Sequence, residues 1–175
     1  MIYLYYINLI FFYSLLGFIL ESVVYKISNS NCHSSIFMGP YTLVYGFGML
    51  FCLLIYNNLN LETNFLTYII YYLIFTFITT LTEYIGGNVI HFFLKIDKWN
   101  YTNHKYHFGK YICLDYAIYW GLLSLFVVFI LHPFFNNNII QNIPSYATYI
   151  ILTIFIIDLL ILIKKKIVKQ NSTIS

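Results

Sequence analysis

Glu21, Glu83, Asp115 and Asp158 stand in, or at the ends of, stretches otherwise almost free of charge. An ionised group at mid-bilayer costs about 2.5–3.5 kcal/mol on insertion scales, and such groups face other helices or a cavity. Carboxylates held there can line a path for an ion or solute, move a proton, or lock helices together. Helix periodicity puts Ser14, Gly17, Glu21 and Tyr25 on one face, and Thr79, Glu83, Gly87 and His91 on another. Each acid shares its face with a glycine, and small residues let membrane helices approach closely. The first and third helices are therefore predicted to pack with Glu21 and Glu83 turned inward. Glu83 and His91 could act as an acid–base pair. Alternatively, the acids find Tyr, Ser, Thr or backbone partners and only hold the bundle. Asp115 reads as a cap at a helix N-terminus, where a carboxylate offsets the dipole by about 0.3–1 kcal/mol. Asp158 reads as an interfacial partner of Lys164–Lys166.

Met38-Gly39-Pro40-Tyr41 has a different chemistry to offer. Proline suits a helix's first turn, and the free amides that follow make a dipole end suited to anions. Broken helices with such ends line transporter sites, so Gly39 and Pro40 mark a candidate broken helix. Tyr45-Gly46-Phe47-Gly48 follows as a patch for close packing.

The elements that carry these residues must be membrane helices. Of the 175 residues, 61% are apolar and 9% charged, and mean hydropathy is +0.76. Soluble domains are about a quarter charged. This composition excludes a water-soluble globular fold, a disordered chain and a nucleic-acid-binding surface. A span needs about 20 apolar residues, and the uncharged runs yield an all-α polytopic bundle of about five transmembrane helices. They are placed at about 3–25, 37–56, 65–94, 114–134 and 145–163, forming one membrane domain with a Lys-rich tail over 164–175. The second is short for a span. Asn57–Asn60, Asn136–Asn138 and Pro133 break the apolar runs, and Pro144 opens the last helix. Met1–Leu20 lacks a basic start and a small-residue cleavage site, and reads as a retained span.

All nine bases are lysines, and they fall in segments 26–36, 95–113 and 164–175. The positive-inside rule then puts the N-terminus outside and the C-terminus in the cytoplasm of a cell-membrane protein. In the loop 95–113, Lys98, Lys105 and Lys110 alternate with Trp99, Tyr101 and other aromatics. Such a loop suits anionic membrane lipid or serves as a docking face for a cytosolic partner.

No Walker-type GxxxxGK[ST] is present, so the chain cannot hydrolyse ATP alone. HExxH and GxSxG are missing, and without arginine there is no bidentate phosphate clamp. His104–His107 and Cys32-His33 have a loose look of metal ligands without a second pair at ligand spacing. The three cysteines, Cys32, Cys52 and Cys113, form no CxxC and read as free thiols. No metal, cofactor or enzymatic activity is expected.

Tyr13-Ser14-x-x-Gly17-x-x-x-Glu21-x-x-x-Tyr25, then Gly39-Pro40-x-x-x-x-Tyr45-Gly46-x-Gly48, then Glu83-Tyr84-x-x-Gly87 form an ordered set. It continues through Trp99-Asn100-Tyr101, Gly109-x-x-Ile112-Cys113-Leu114 and Trp120-Gly121. In this order the chain resembles the bacterial "putative ABC-transporter type IV" permease family, from about residue 13 to 133. The positions matching its motif are Glu21, Gly39, Pro40, Tyr45, Gly46, Glu83, Gly87, Trp99, Cys113 and Trp120. The family's second Glu, one turn after Gly87, is His91 here, and its Trp-Asp-Tyr is Trp99-Asn100-Tyr101. The resemblance implies a permease-like subunit that needs a separate cytosolic ATPase. Five short helices enclose little volume, so a homodimer or further partners are expected. The alternative is a non-transporting scaffold or regulator.

Overall fold

The computed structural model describes residues 2–27, 36–62 and 64–172, with side chains through Lys166. Cys32 and His33 lie outside the described residues. Six helices follow in order: α1 Ile2–Ile27, α2 Leu43–Leu59, α3 Phe65–Leu94, α4 Leu114–Phe126, α5 His132–Asn138 and α6 Ser145–Ser172. A hairpin of β1 His107–Phe108 and β2 Ile112–Cys113 lies between α3 and α4. A π turn, Val127–Leu131, joins α4 to α5 in one continuous rod.

Among the described residues, four units are long and apolar enough to cross a membrane: α1, α3, the α4–α5 rod and α6. With 17 residues, α2 is about 25 Å long at 1.5 Å per residue, short of a hydrocarbon core of about 30 Å. It begins at Leu43, not near 37 as the apolar run suggests, and Thr42 is its N-cap. Pro40 therefore stands before the helix and not in its first turn.

The reason lies in who satisfies the preceding backbone. Asp158 of α6 accepts from the Met38 N–H at 3.0 Å, from the Gly39 N–H at 2.8 Å, and from the Tyr41 hydroxyl. The Thr42 N–H donates to the Ser14 carbonyl of α1 at 3.0 Å. Irregular backbone at membrane depth is tolerated only where protein or water satisfies it, and Asp158 does so here. Asp158, 5% exposed, also feels the charge of Lys165 within the lysine run expected to partner it, so its backbone role adds to that pairing.

Pro133 does not end the fourth span. Within a regular helix its ring would press on the carbonyl of residue 129 and remove one hydrogen bond. The wider π turn absorbs it: the His132 N–H reaches back five residues to the Val127 carbonyl. The chain turns only after Asn138, through a short 3-10 turn at Ile140–Asn142. At the far end α6 continues to Ser172, so the lysines expected in a separate tail prolong the helix.

In the bundle, α1 packs on α2, α2 on α3, and α3 on α4. Leu9, Tyr13, Cys52, Leu53, Tyr71, Phe75 and Val128 fill the centre. Phe129 meets Tyr56 and Tyr71 edge-on and the two tyrosines are tilted against each other, with ring centroids 5.1–5.6 Å apart. Polar pairs tie the end where α1 begins. The Tyr5 hydroxyl donates to Asn136 at 2.9 Å, the Thr148 hydroxyl to Asn8 at 2.7 Å, and Tyr13 meets His132 at 2.9 Å. Glu21, Glu83, Asp97, Asp115 and Asp158 lie toward the opposite end, where α1, α3 and α6 finish, and Glu62 stands apart between α2 and α3.

Candidate functional site: a carboxylate cluster under a folded loop

Glu83 is 7% exposed on α3. The Tyr101 hydroxyl donates to its Oε1 at 2.6 Å, and the Trp120 Nε1–H of α4 donates to its Oε2 at 3.2 Å. The Tyr45 ring of α2 meets Trp120 edge-on, centroids 5.3 Å apart. On its other side Tyr45 hydrogen-bonds Glu21 of α1. Glu21 and Glu83 are thus linked through Tyr45 and Trp120, and Lys98 supplies an opposing charge near Glu21. Four helices and one loop each contribute a side chain to this cluster. Glu21 Oε2 is buried and has no hydrogen-bond partner among the described residues.

Glycines make the approach possible. A Cβ at Gly17 would enter the Tyr45 ring, and one at Gly46 would meet the Ile10 carbonyl and the Ser14 hydroxyl. With hydrogens there, α2 sits against α1 and Tyr45 runs along it to Glu21. The glycine–acid face of α1 therefore packs on α2, and the predicted pairing of the first and third helices is replaced by one through α2. The equivalent face of α3 is covered by the loop. Tyr101 lies on Glu83, the Tyr111 ring lies on Gly87, and Asp97 meets His91.

That loop is a folded unit held together by its own side chains and hairpin. Asp97 Oδ1 is 2.8 Å from His91 Nδ1 and accepts from the Tyr111 hydroxyl at 2.5 Å, while Oδ2 is 3.2 Å from Lys110 Nζ. These donors, Tyr111 first and Lys110 next, hold the Asp97 carboxyl below its ordinary range. Burial, with Asp97 alongside, pushes the Tyr111 phenol up to about 12. Gly109 at φ +63° makes the hairpin's turn, a conformation glycine adopts without strain. The Tyr101 N–H donates to the Lys110 carbonyl at 2.8 Å, and its ring stacks on Tyr116 at 4.7 Å. Burial, and then Glu83, raise the Tyr101 phenol well above its usual range, so it remains a donor at neutral pH.

The residues picked from sequence thus divide. Glu21, Tyr45 and Glu83 meet, with Tyr101 arriving from the loop. His91 does not join Glu83, because Asp97 holds it. Of the docking residues, Tyr101 is buried, Lys110 is paired with Asp97, and Lys105 is exposed, its Nζ 5.2 Å from the Tyr106 ring centroid. Trp99 Nε1 is buried without a partner among the described residues. Sequence reasoning passed over Asp97 altogether, and it assigned no contact to Trp120, Tyr111 or Tyr41. For Asp97 and Tyr111 the signal was a loop too rich in aromatic and acidic residues for a plain linker, whereas Trp120 stood among the motif positions and Tyr41 next to Pro40.

Beside the cluster, a groove of about 930 Å³ opens between α2, α3 and the end of α6. Phe47, Phe51, Val89 and Phe93 line it, with Lys98 and Lys166 as its charged members.

No curated protein and no solved structure matches the chain. The family model described as "Putative ABC-transporter type IV" matches residues 8–163, and so covers every residue of the cluster and the loop above it. The protein is a membrane protein belonging to that ABC-transporter type IV family.

Proposed function

We propose that this protein is a permease-like membrane subunit of a transport complex, driven by a separate cytosolic ATPase chain that docks on the folded loop 95–113. The observation that carries the reading is the Tyr101–Glu83 hydrogen bond. A partner that moves the loop would pull on a buried carboxylate, and through Trp120, Tyr45 and Glu21 the movement would reach α4, α2 and α1. The exposed Lys105 is the loop's charged contact for an acidic partner surface. All nine lysines lie at this end, Lys26 in the last turn of α1, which supports a cytoplasmic loop, an outside N-terminus and a cytoplasmic C-terminus. The apolar groove suits lipid tails. A second copy, completing a dimer, would enclose the volume that one short bundle lacks.

A scaffold is the second reading, favoured by the fact that both Glu83 oxygens are already bonded. Purification of the tagged protein from its native membranes in mild detergent separates the two. A stoichiometric ATPase, lost in Lys105→Glu and weakened in Tyr101→Phe, is the outcome for a permease subunit. Recovery of the protein alone, or with itself only, at native expression would favour the scaffold.

A further inference from the structure

We infer that His104, Cys113 and Asp115 form a binding site for a divalent transition-metal ion of the zinc type. Their ligand atoms lie within 4.8 Å of one another. Zinc takes nitrogen, sulfur and oxygen ligands at about 2.0–2.3 Å, so ligand pairs around it sit within about 4 Å, in reach by small side-chain rotations. The donor set is borderline in softness. An imidazole and a thiolate disfavour magnesium and calcium, which take oxygen.

The three residues are held by structure that does not depend on an ion. Cys113 closes β2 and is the N-cap residue of α4, with Asp115 in that helix's first turn. The Leu114 N–H donates to the Tyr106 carbonyl at 2.9 Å, which extends the hairpin ladder to the helix. His104 is set by its own N–H on the Tyr101 carbonyl at 2.9 Å. Its ring lies edge-on to Tyr101 and Tyr116, at 5.6 and 5.4 Å. Cys113 is 1% exposed, His104 half-buried and Asp115 exposed, so an ion would enter from the Asp115 side. Three protein ligands leave a fourth position for water, as in sites that keep an open position. His107 stands opposite Cys113 in the hairpin, but its Nδ1 is 2.9 Å from the Gly109 carbonyl and it falls outside the trio.

Binding would release the Cys113 thiol proton to solvent and clamp the loop to α4. His104 packs on Tyr101, and Tyr101 holds Glu83, so an ion here would stiffen the link between the loop and the buried carboxylates. The site is legible only in three dimensions. In the sequence, His104 is nine positions from Cys113, and Asp115 passes for a helix cap.

Cobalt(II) is the probe, added to full-length protein in mild detergent after treatment with a chelator. Expected are one ion per chain, a thiolate-to-cobalt charge-transfer band, and loss of that band on adding zinc. Cys113→Ser should abolish the band. Asp115→Asn, at an exposed position that spares the fold, and His104→Ala should each weaken binding by about tenfold or more. His107→Ala should leave binding unchanged. No thiolate band, a band that persists in Cys113→Ser, or affinity indifferent to Asp115→Asn and His104→Ala would overturn the proposal.

Discussion

The Tyr101 hydroxyl lies 2.6 Å from Glu83 Oε1, so the loop between α3 and α4 is anchored inside the bundle it covers. A loop without such an anchor could be cut or charged with little effect on the helices. This one carries one of the two hydrogen-bond donors of a buried carboxylate. Tyr101→Phe should therefore destabilise the protein by about 1–3 kcal/mol, the cost of leaving a buried acceptor short of a partner. Thermal unfolding in detergent reads the loss, and limited proteolysis within 102–110 should speed up in parallel.

Gly46 and Gly48 lie two positions apart on α2 and should respond oppositely to alanine. A methyl at Gly46 would press on the Ile10 carbonyl and the Ser14 hydroxyl, whereas at Gly48 the nearest atom, on Thr79, is 3.9 Å away. Gly46→Ala should cost about 1–3 kcal/mol as an overpacked contact. Gly48→Ala should be neutral or stabilising by up to about 1 kcal/mol, the helix-propensity difference. Unfolding of the two variants side by side decides it.

The Asp97 clasp should be sensitive to acid. Its folded-state pKa is lowered, by Tyr111 first and Lys110 next. Its contribution is therefore full above the ordinary aspartate value of about 3.9 and is lost as pH falls through the lower folded value. Tyr111 works in the other direction. Its folded pKa is raised to about 12, so its contribution is full below about 10 and fades as pH climbs toward 12. Amide protection from hydrogen exchange over 97–111, taken relative to the intrinsic exchange rate at each pH, should be greatest between these limits. Asp97→Asn should remove the acid-side loss and, by taking away a partner of Tyr111, move the alkaline-side loss to lower pH.

Asp158→Asn replaces an acceptor-only group with one that presents an amide N–H₂ to three donors: two backbone N–H groups and a phenol. Hydrogen bonds to charged groups are worth about 1.5–3 kcal/mol each, and at least one is lost. The Met38 and Gly39 amides should exchange markedly faster in this variant, while those of α1 remain protected.

The helical class and the glycine–acid faces on α1 and α3 could be read from composition and a period of 3.6 residues. That period shows which residues share a face but not what covers it. Gly87 reads as a helix-packing glycine, yet the Tyr111 ring covers it. Likewise, Asp158 pairs with amides about 120 residues away, a partnership no local spacing encodes. Pro133 reads as a terminator because proline usually breaks helices, and the π turn that accommodates it has no signature in residue types. Asp97 was missed because its partners His91, Lys110 and Tyr111 converge only once the hairpin has folded.

The most direct test of the docking claim is a photo-crosslinking residue at position 105 in living cells, with one at position 137 as the control from the opposite end of the bundle. Expected is a single major adduct at 105 containing a nucleotide-hydrolysing cytosolic protein, its yield changing with ATP, and no such adduct at 137. Adducts at 105 made only with lipid or with a second copy of the chain would contradict a docked ATPase and leave the carboxylate cluster as the brace of a scaffold.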